Sequence, residues 1–198
     1  LWGYFAEISR IPRPSKKEDK IIKYLLDFAS KQNLKANVDD VGNVLIVKPA
    51  TPGMENWPTV VLQTHLDMVC EKNADKDFNF ETDPIELIVG EEWVSANGTT
   101  LGADDGIGIA AQLAILASSE IQHGPLECLF TIDEESGLTG ALTLKPDFFT
   151  GKILINLDSE DEGEIFIGCA GGIDTVATFR YTKEQTPFGS VAFKVKVL

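Results

Sequence analysis

The stretch "VVLQTHLDMV", residues 60–69, decides how the rest of the chain is read. Uncharged residues run on as a buried strand would, and then His65 and Asp67 arrive two positions apart before apolar side chains resume. A core strand has no structural need for an imidazole and a carboxylate at its end, so both must face something. Two other apolar runs end in the same way. "LECLFTI", 126–132, leads into Asp133, Glu134 and Glu135, and "KILINL", 152–157, leads into Asp158. Compact apolar strands of this kind suit a sheet covered on both faces. In open α/β sheets ligands bind beyond the carboxyl ends of the strands. If the three strands are parallel neighbours, the histidine and the acids meet at one edge.

The surrounding pattern supports an α/β layer. Ser15-Lys16-Lys17-Glu18 has the form of a capping box, and Ile21, Ile22, Leu25, Leu26 and Ala29 follow at helical spacing, predicting an amphipathic helix over 16–31. "NVLIVKP", 43–49, and "TVVLQT", 59–64, read as strands, and "IELIVGEEWVSA", 85–96, as a hairpin. "GIGIAAQLAILASS", 106–119, is apolar on nearly every face and predicts a helix buried against the sheet. Asp104 and Asp105 open that helix where its free N–H groups point outward. After Gly171-Gly172, "IDTVATFRYT" and "SVAFKVKVL" alternate toward one face. The expected organisation is an α/β unit over 1–172 and the start of an antiparallel unit over 173–198. The chain begins without methionine and stops within a strand pattern, so it reads as a piece of something longer.

Composition excludes several function classes. Net charge is −14 with no basic stripe to follow a phosphate backbone, which argues against nucleic acid. No apolar run is long enough to span a membrane, and the N-terminus has no signal-peptide pattern. Cys70, Cys128 and Cys169 are widely spaced and odd in number, as expected of a cytoplasmic chain rather than a disulfide framework.

Taken singly, each motif has a bland reading: a satisfied polar histidine, a solvated "DEE" loop, an "ADDG" turn. Recurrence at three strand ends and one helix start favours a shared site. So many carboxylates on one edge repel each other unless positive charge sits among them, and a pair of divalent ions bridged by a carboxylate meets that need. Imidazole and oxygen ligands suit Zn²⁺ first, with Mn²⁺ or Co²⁺ as alternatives. In this reading His65 faces metal and Asp67 holds its second ring nitrogen. "DSEDEGEI", 158–165, imitates a calcium loop, but position 12 is Cys169 instead of glutamate. "GADDGIG", 102–108, lacks the lysine of a phosphate loop. His123 precedes strand 126–132 whereas the glutamates follow it, which at about 3.3 Å per residue keeps it roughly 20 Å or more away.

"QTHLDMV", "TTLGADDGIG", "TIDEESG" and "NLDSEDEGEIFIGCAGG" resemble the co-catalytic zinc exopeptidases related to aminoacylase and carboxypeptidase G. "IPRPS", "VGNVLIVKPAT", "HGPLE" and "GCAGG" resemble the aminoacyl-histidine dipeptidase subgroup, so the resemblance covers essentially the whole chain. It implies a three-layer sandwich on a mixed, largely parallel sheet, followed by the start of an α+β lid domain. It also implies two divalent metal ions, with His65 and Asp158 on one, Glu135 on the other, and Asp104 bridging. Glu134 is then the general base and acid of dipeptide hydrolysis, Xaa-His substrates included, and Asp67 the partner of His65. The family pattern also needs a second metal-binding histidine and a carbonyl-polarising histidine, and this sequence supplies neither. The 198 residues alone are therefore expected to be inactive. An N-acyl-amino-acid deacylase and a non-catalytic metal-binding relative are the alternatives. The oligomeric state of the whole protein stays open, a homodimer among the options.

Overall fold

Apolar alternation builds the sheet, and the direction of its strands builds the site. The computed structural model describes residues 1–159, 163–168, 171 and 175–195. Its elements in chain order are α1 (Trp2–Ile8), α2 (Asp19–Lys31), β1 (Lys35–Val38), β2 (Val44–Lys48), β3 (Val60–His65), β4 (Leu87–Val89), β5 (Val94–Ala96), α3 (Ala103–Ala117), β6 (Leu126–Thr131), α4 (Glu134–Gly137), α5 (Thr139–Leu142) and β7 (Ile153–Asn156). Five strands form a mixed sheet in the order β1-β2-β6-β3-β7, and β4 and β5 form the expected hairpin. β1 with β2 and β2 with β6 are antiparallel, whereas β3 runs parallel to both β6 and β7.

Side chains alternate across the sheet plane. Val44 and Ile46 of β2, Leu62 of β3 and Phe130 of β6 join Ile8, Ile21, Leu25, Phe28, Ile109 and Leu113 from α1, α2 and α3 in one core. Leu45, Val61 and Leu129 point to the other face, where Leu144, Phe148 and Phe149 cover them. Each fully buried side chain of this size contributes about 1.5–3 kcal/mol. The helices follow from the same rule. α2 buries Ile21, Leu25, Phe28 and Ala29, one stripe of a 3.6-residue period. α3 packs against α1 and β3.

Two buried polar residues tie the layers to the site. Glu127 of β6 accepts N–H bonds from Thr150 at 2.9 Å and Gly151 at 2.8 Å, fixing the turn that leads into β7 and thence to Asp158. Asn43 donates to the Gly140 carbonyl at 2.9 Å and accepts from the Ile132 N–H at 3.1 Å, pinning both sides of the loop after β6. Gly140 has no room for a side chain: a methyl there would lie 2.6 Å from the Ile132 nitrogen and against Asn43 Oδ1. Gly140→Ala is therefore expected to destabilise the fold by about 1–3 kcal/mol, the usual cost of overpacking. A urea denaturation midpoint unchanged from wild type would contradict this.

Three expectations need correction. The capping box is not formed: α2 begins at Asp19 with Glu18 as N-cap and no side-chain cap. The Ser15 hydroxyl instead donates to Asp67 Oδ2, and Lys16 takes the left-handed conformation with φ 66°. Glu18 is buried and accepts N–H bonds from Lys16 and Asp133. Tertiary partners have claimed both members of the box, an acceptor for Ser15 and a donor for Glu18. The run 152–157 is not covered on both faces either. β7 sits at the sheet edge, and Ile153, Leu154 and Ile155 are each 47% exposed.

The third correction concerns the end of the chain. Contacts divide the chain into units Leu1–Glu160 and Asp161–Leu198. In the second, the described residues 175–195 form no strand, although 173–182 and 190–198 read as strands in the sequence. Alternating residues need a hydrogen-bonded partner before they become a stable sheet. We propose that the domain boundary lies near residue 172 and that the residues beyond it open a lid domain. No helix among the described residues is long and apolar enough to cross a membrane.

Candidate metal centre

Register places the site. Because β3 pairs with β6 in parallel with His65 opposite Thr131, the residues after both strands emerge side by side. β7 pairs in parallel with Gln63 opposite Asn156, and the Leu157 N–H continues the ladder to the Gln63 carbonyl, so Asp158 emerges at the same edge. α3 presents its first residues there too. Its backbone becomes regularly helical only after Asp105, so Asp104 and Asp105 form a bent lead-in, joined by a cis peptide.

His65 lies at the centre and is 1% exposed. Its Nε2 is 2.8 Å from Asp104 Oδ1 and 3.8 Å from Asp158 Oδ2. Its Nδ1 is 3.3 Å from Asp67 Oδ1, an ion-pair separation short of good hydrogen-bond geometry. Among the described residues two groups of ligand atoms come within 4.8 Å of one another: His65 with Asp104 and Asp158, and His65 with Glu134 and Glu135. Asp104 is not a member of the second group, and one imidazole nitrogen cannot serve both. The first group is therefore a three-ligand set and the second a pair of carboxylates beside it.

The electrostatics fit a cation. Burial, reinforced by Asp104, pushes Asp158 up to about 6. Burial and then Asp158 push Asp105 up to about 7. Burial and Asp104 likewise raise Glu135. Burial alone would discharge His65, but its contacts with Asp67 and Asp104 carry it up to about 9. A divalent ion among these oxygens would offset the burial cost, and with it the mutual repulsion, that hold the carboxyls up. Imidazole nitrogen with carboxylate oxygen is a donor set that zinc accepts.

Asp67 does more than face His65. It is fully buried and accepts the Ser15 hydroxyl at 2.7 Å, the Glu134 N–H at 2.9 Å and the Glu135 N–H at 3.1 Å. Burial works against its charge, but the contacts with His65, Ser15 and Glu134 hold it down at about 2. One carboxylate thus orients the histidine and anchors the backbone carrying both glutamates. Asp67→Asn replaces an acceptor by a donor facing those N–H groups. We expect a loss of about 10–100-fold in metal affinity, as for other groups that orient a metal ligand. A zinc titration giving wild-type affinity would contradict this.

Some acids of the strand ends are used elsewhere. Asp133 accepts the hydroxyls of Ser136 and Thr139 and belongs to neither ligand group. Asp105 is 2% exposed and accepts the Gly108 N–H at 3.2 Å. His123 is buried before β6, its Nδ1 2.7 Å from the Gly124 carbonyl, at the far end of the strand from the glutamates. Arg13, Ser15 and Glu18 all support this edge; the spacing of Ser15 and Glu18 points to a helix cap instead, and nothing in the spacing marks Arg13. The one available signal was a lone arginine between two prolines.

No family model matches the chain. Over 195 residues it is 50% identical to the cytosol non-specific dipeptidase of Escherichia coli (strain K12), an alignment covering 98% of this chain and 40% of that protein. Its structure resembles aminoacylhistidine dipeptidase from Vibrio alginolyticus with a TM-score of 0.80 and 54% identity, over 82% of this chain and 33% of the other. It is also similar to aminopeptidase PepT from Bacillus cereus, with a TM-score of 0.68 and 27% identity, over 81% of this chain and 43% of the other. The chain thus spans less than half the length of each of these relatives.

Proposed function

We infer, from a chain that belongs to the family of the cytosol non-specific and aminoacylhistidine dipeptidases, that it carries the metal-holding part of a dipeptide-hydrolysing site. The observation that carries this reading is the convergence of His65, Asp104 and Asp158 within ligand reach, with Glu134 and Glu135 alongside. His65 and Asp158 would hold one divalent ion and Glu135 a second, with Asp104 shared by both. A bound divalent ion would acidify water and polarise the scissile carbonyl. Zinc is the first choice, with cobalt or manganese as alternatives.

The chain's own groups divide the remaining work. Glu134 takes a proton from the attacking water at its carboxylate and returns it to the leaving amine nitrogen, as general acid–base catalysis requires. Asp67 fixes the ring of His65 and the backbone of both glutamates. His123 does not serve as a further ligand, because it precedes β6 and the glutamates follow it. We place the other imidazole groups of the site, and the surface that reads the substrate, in parts of the whole protein beyond these residues. The first relative's name sets it in the cytosol, and we extend that location to this protein.

The test is metal analysis of the intact protein together with turnover of a panel of dipeptides, Xaa-His members included, and N-acetyl amino acids. Chelation should abolish dipeptide hydrolysis, and zinc or cobalt should restore it. Hydrolysis that survives full chelation, or turnover of the N-acetyl compounds alone, would overturn the proposal.

A further inference from the structure

A buried cation, Arg13, stands behind the acids and touches none of the proposed metal ligands through its hydrogen bonds. Arg13 is 2% exposed, and burial lowers its guanidinium to about 10, so it remains protonated at neutral pH. Asp67, Asp105 and Asp104 all act on it. Its donated hydrogen bonds nevertheless go to carbonyl oxygens: Nη1 to Leu66 at 2.9 Å and to Asp67 at 2.7 Å, and Nη2 to Gly102. Those carbonyls belong to the segment just after His65 and the turn two residues before Asp104.

The space for this clamp is made by glycine. A methyl on Gly102 would lie 2.7 Å from Arg13 Nη2, and one on Gly106 would lie 2.8 Å from it. Gly102 also takes φ +69°, which a side chain would disfavour. The approach of the arginine is set as well. Pro12 and Pro14 restrict the backbone on either side, Pro14 bridges to Met68, and Ser15 donates to Asp67. Residues 13–15 therefore run alongside the end of β3 and reach across to the start of α3.

We propose that Arg13 is a positioning residue for the metal centre. Its planar fork holds the His65 segment and the Asp104 turn at their ligand-to-ligand spacing, and it supplies fixed positive charge without occupying a carboxylate oxygen. An arginine bonded to Asp104 or Asp158 would compete with a metal for the same lone pairs; one bonded to carbonyls leaves them free. This inference rests on the metal-centre reading above.

The test is a zinc titration against a competing chelator on the intact protein, with circular dichroism on each variant to establish folding. Arg13→Met should bind zinc at least tenfold more weakly at a temperature where it is folded. Arg13→Lys keeps the charge but cannot span three carbonyls, and should fall between Met and wild type. A residue of packing value alone would lower the melting temperature and leave zinc affinity untouched, so wild-type affinity in folded Arg13→Met overturns the proposal. If the methionine variant does not fold, Gly106→Ala, which displaces the guanidinium by a methyl, is expected to weaken zinc binding severalfold. Unchanged affinity in that folded variant overturns the proposal equally. A wild-type protein that binds no zinc removes the metal-centre reading and this inference together, whereas unaffected variants of a zinc-binding wild type remove this inference alone.

Discussion

Glu134→Ala in the intact protein is expected to keep its metal and lose dipeptide hydrolysis by a factor on the order of 10²–10⁴, the usual cost of removing a general base. The structure makes this substitution unusually clean. Glu134 is anchored to Asp67 through its backbone N–H at 2.9 Å, and alanine keeps that bond. Glu135 is anchored in the same way at 3.1 Å, so its carboxylate stays in place when its neighbour is truncated. The two glutamates follow one strand, and the proposed mechanism gives them different chemical roles, Glu135 as ligand and Glu134 as proton carrier. Metal content by mass spectrometry and steady-state kinetics on the same sample separate those roles. Full metal occupancy with ordinary turnover would mean that Glu134 is not the base. Loss of metal would mean that it is a ligand.

Asp104→Ala is expected to empty both metal positions, whereas Asp158→Ala should empty mainly one. A carboxylate between two cations offsets their mutual repulsion, so its removal weakens both. Without metal the same change removes the 2.8 Å contact to buried His65 Nε2, a loss that three features of the site limit. The Asp104 side chain is 48% exposed, and the local backbone is held by the Arg13 bond to Gly102 rather than by the carboxylate. Removing one acid from a crowded edge also relieves repulsion with Asp158 and Glu135. Zinc content after dialysis, measured on both variants, decides the matter. Equal loss in the two would end the bridging assignment.

The central features of the fold were legible because they rest on apolar runs. β2, β3, β6 and α3 each show as a stretch with few charges, and the site residues end or follow β3 and β6 and open α3. The strand β1, "KANV", and the seven-residue α1 gave no such signal, the first because its alternation lasts only four residues and the second for want of caps. Local motifs misled where tertiary partners outbid them. Ser15 and Glu18 fit a capping box in sequence, yet their bonds go to Asp67 and Asp133, 52 and 115 residues away. Arg13 was opaque for the same reason: its partners at Leu66 and Gly102 lie 53 and 89 residues along the chain. The residues of the site could be named from strand ends, but which acids face His65 and which turn aside depended on register and on the bent start of α3. Asp133 illustrates the difference, since its position in "DEE" matches that of the glutamates while its carboxylate caps its own loop.

The decisive measurement is an anomalous difference map at the zinc edge from crystals of the intact protein grown with zinc. A metal held as proposed gives a peak at His65 Nε2, about 2.0–2.2 Å from that nitrogen and from carboxylate oxygens of Asp104 and Asp158. A map with no peak within ligand reach of His65, its Nε2 still paired with Asp104, would contradict the assignment of this edge as a metal centre.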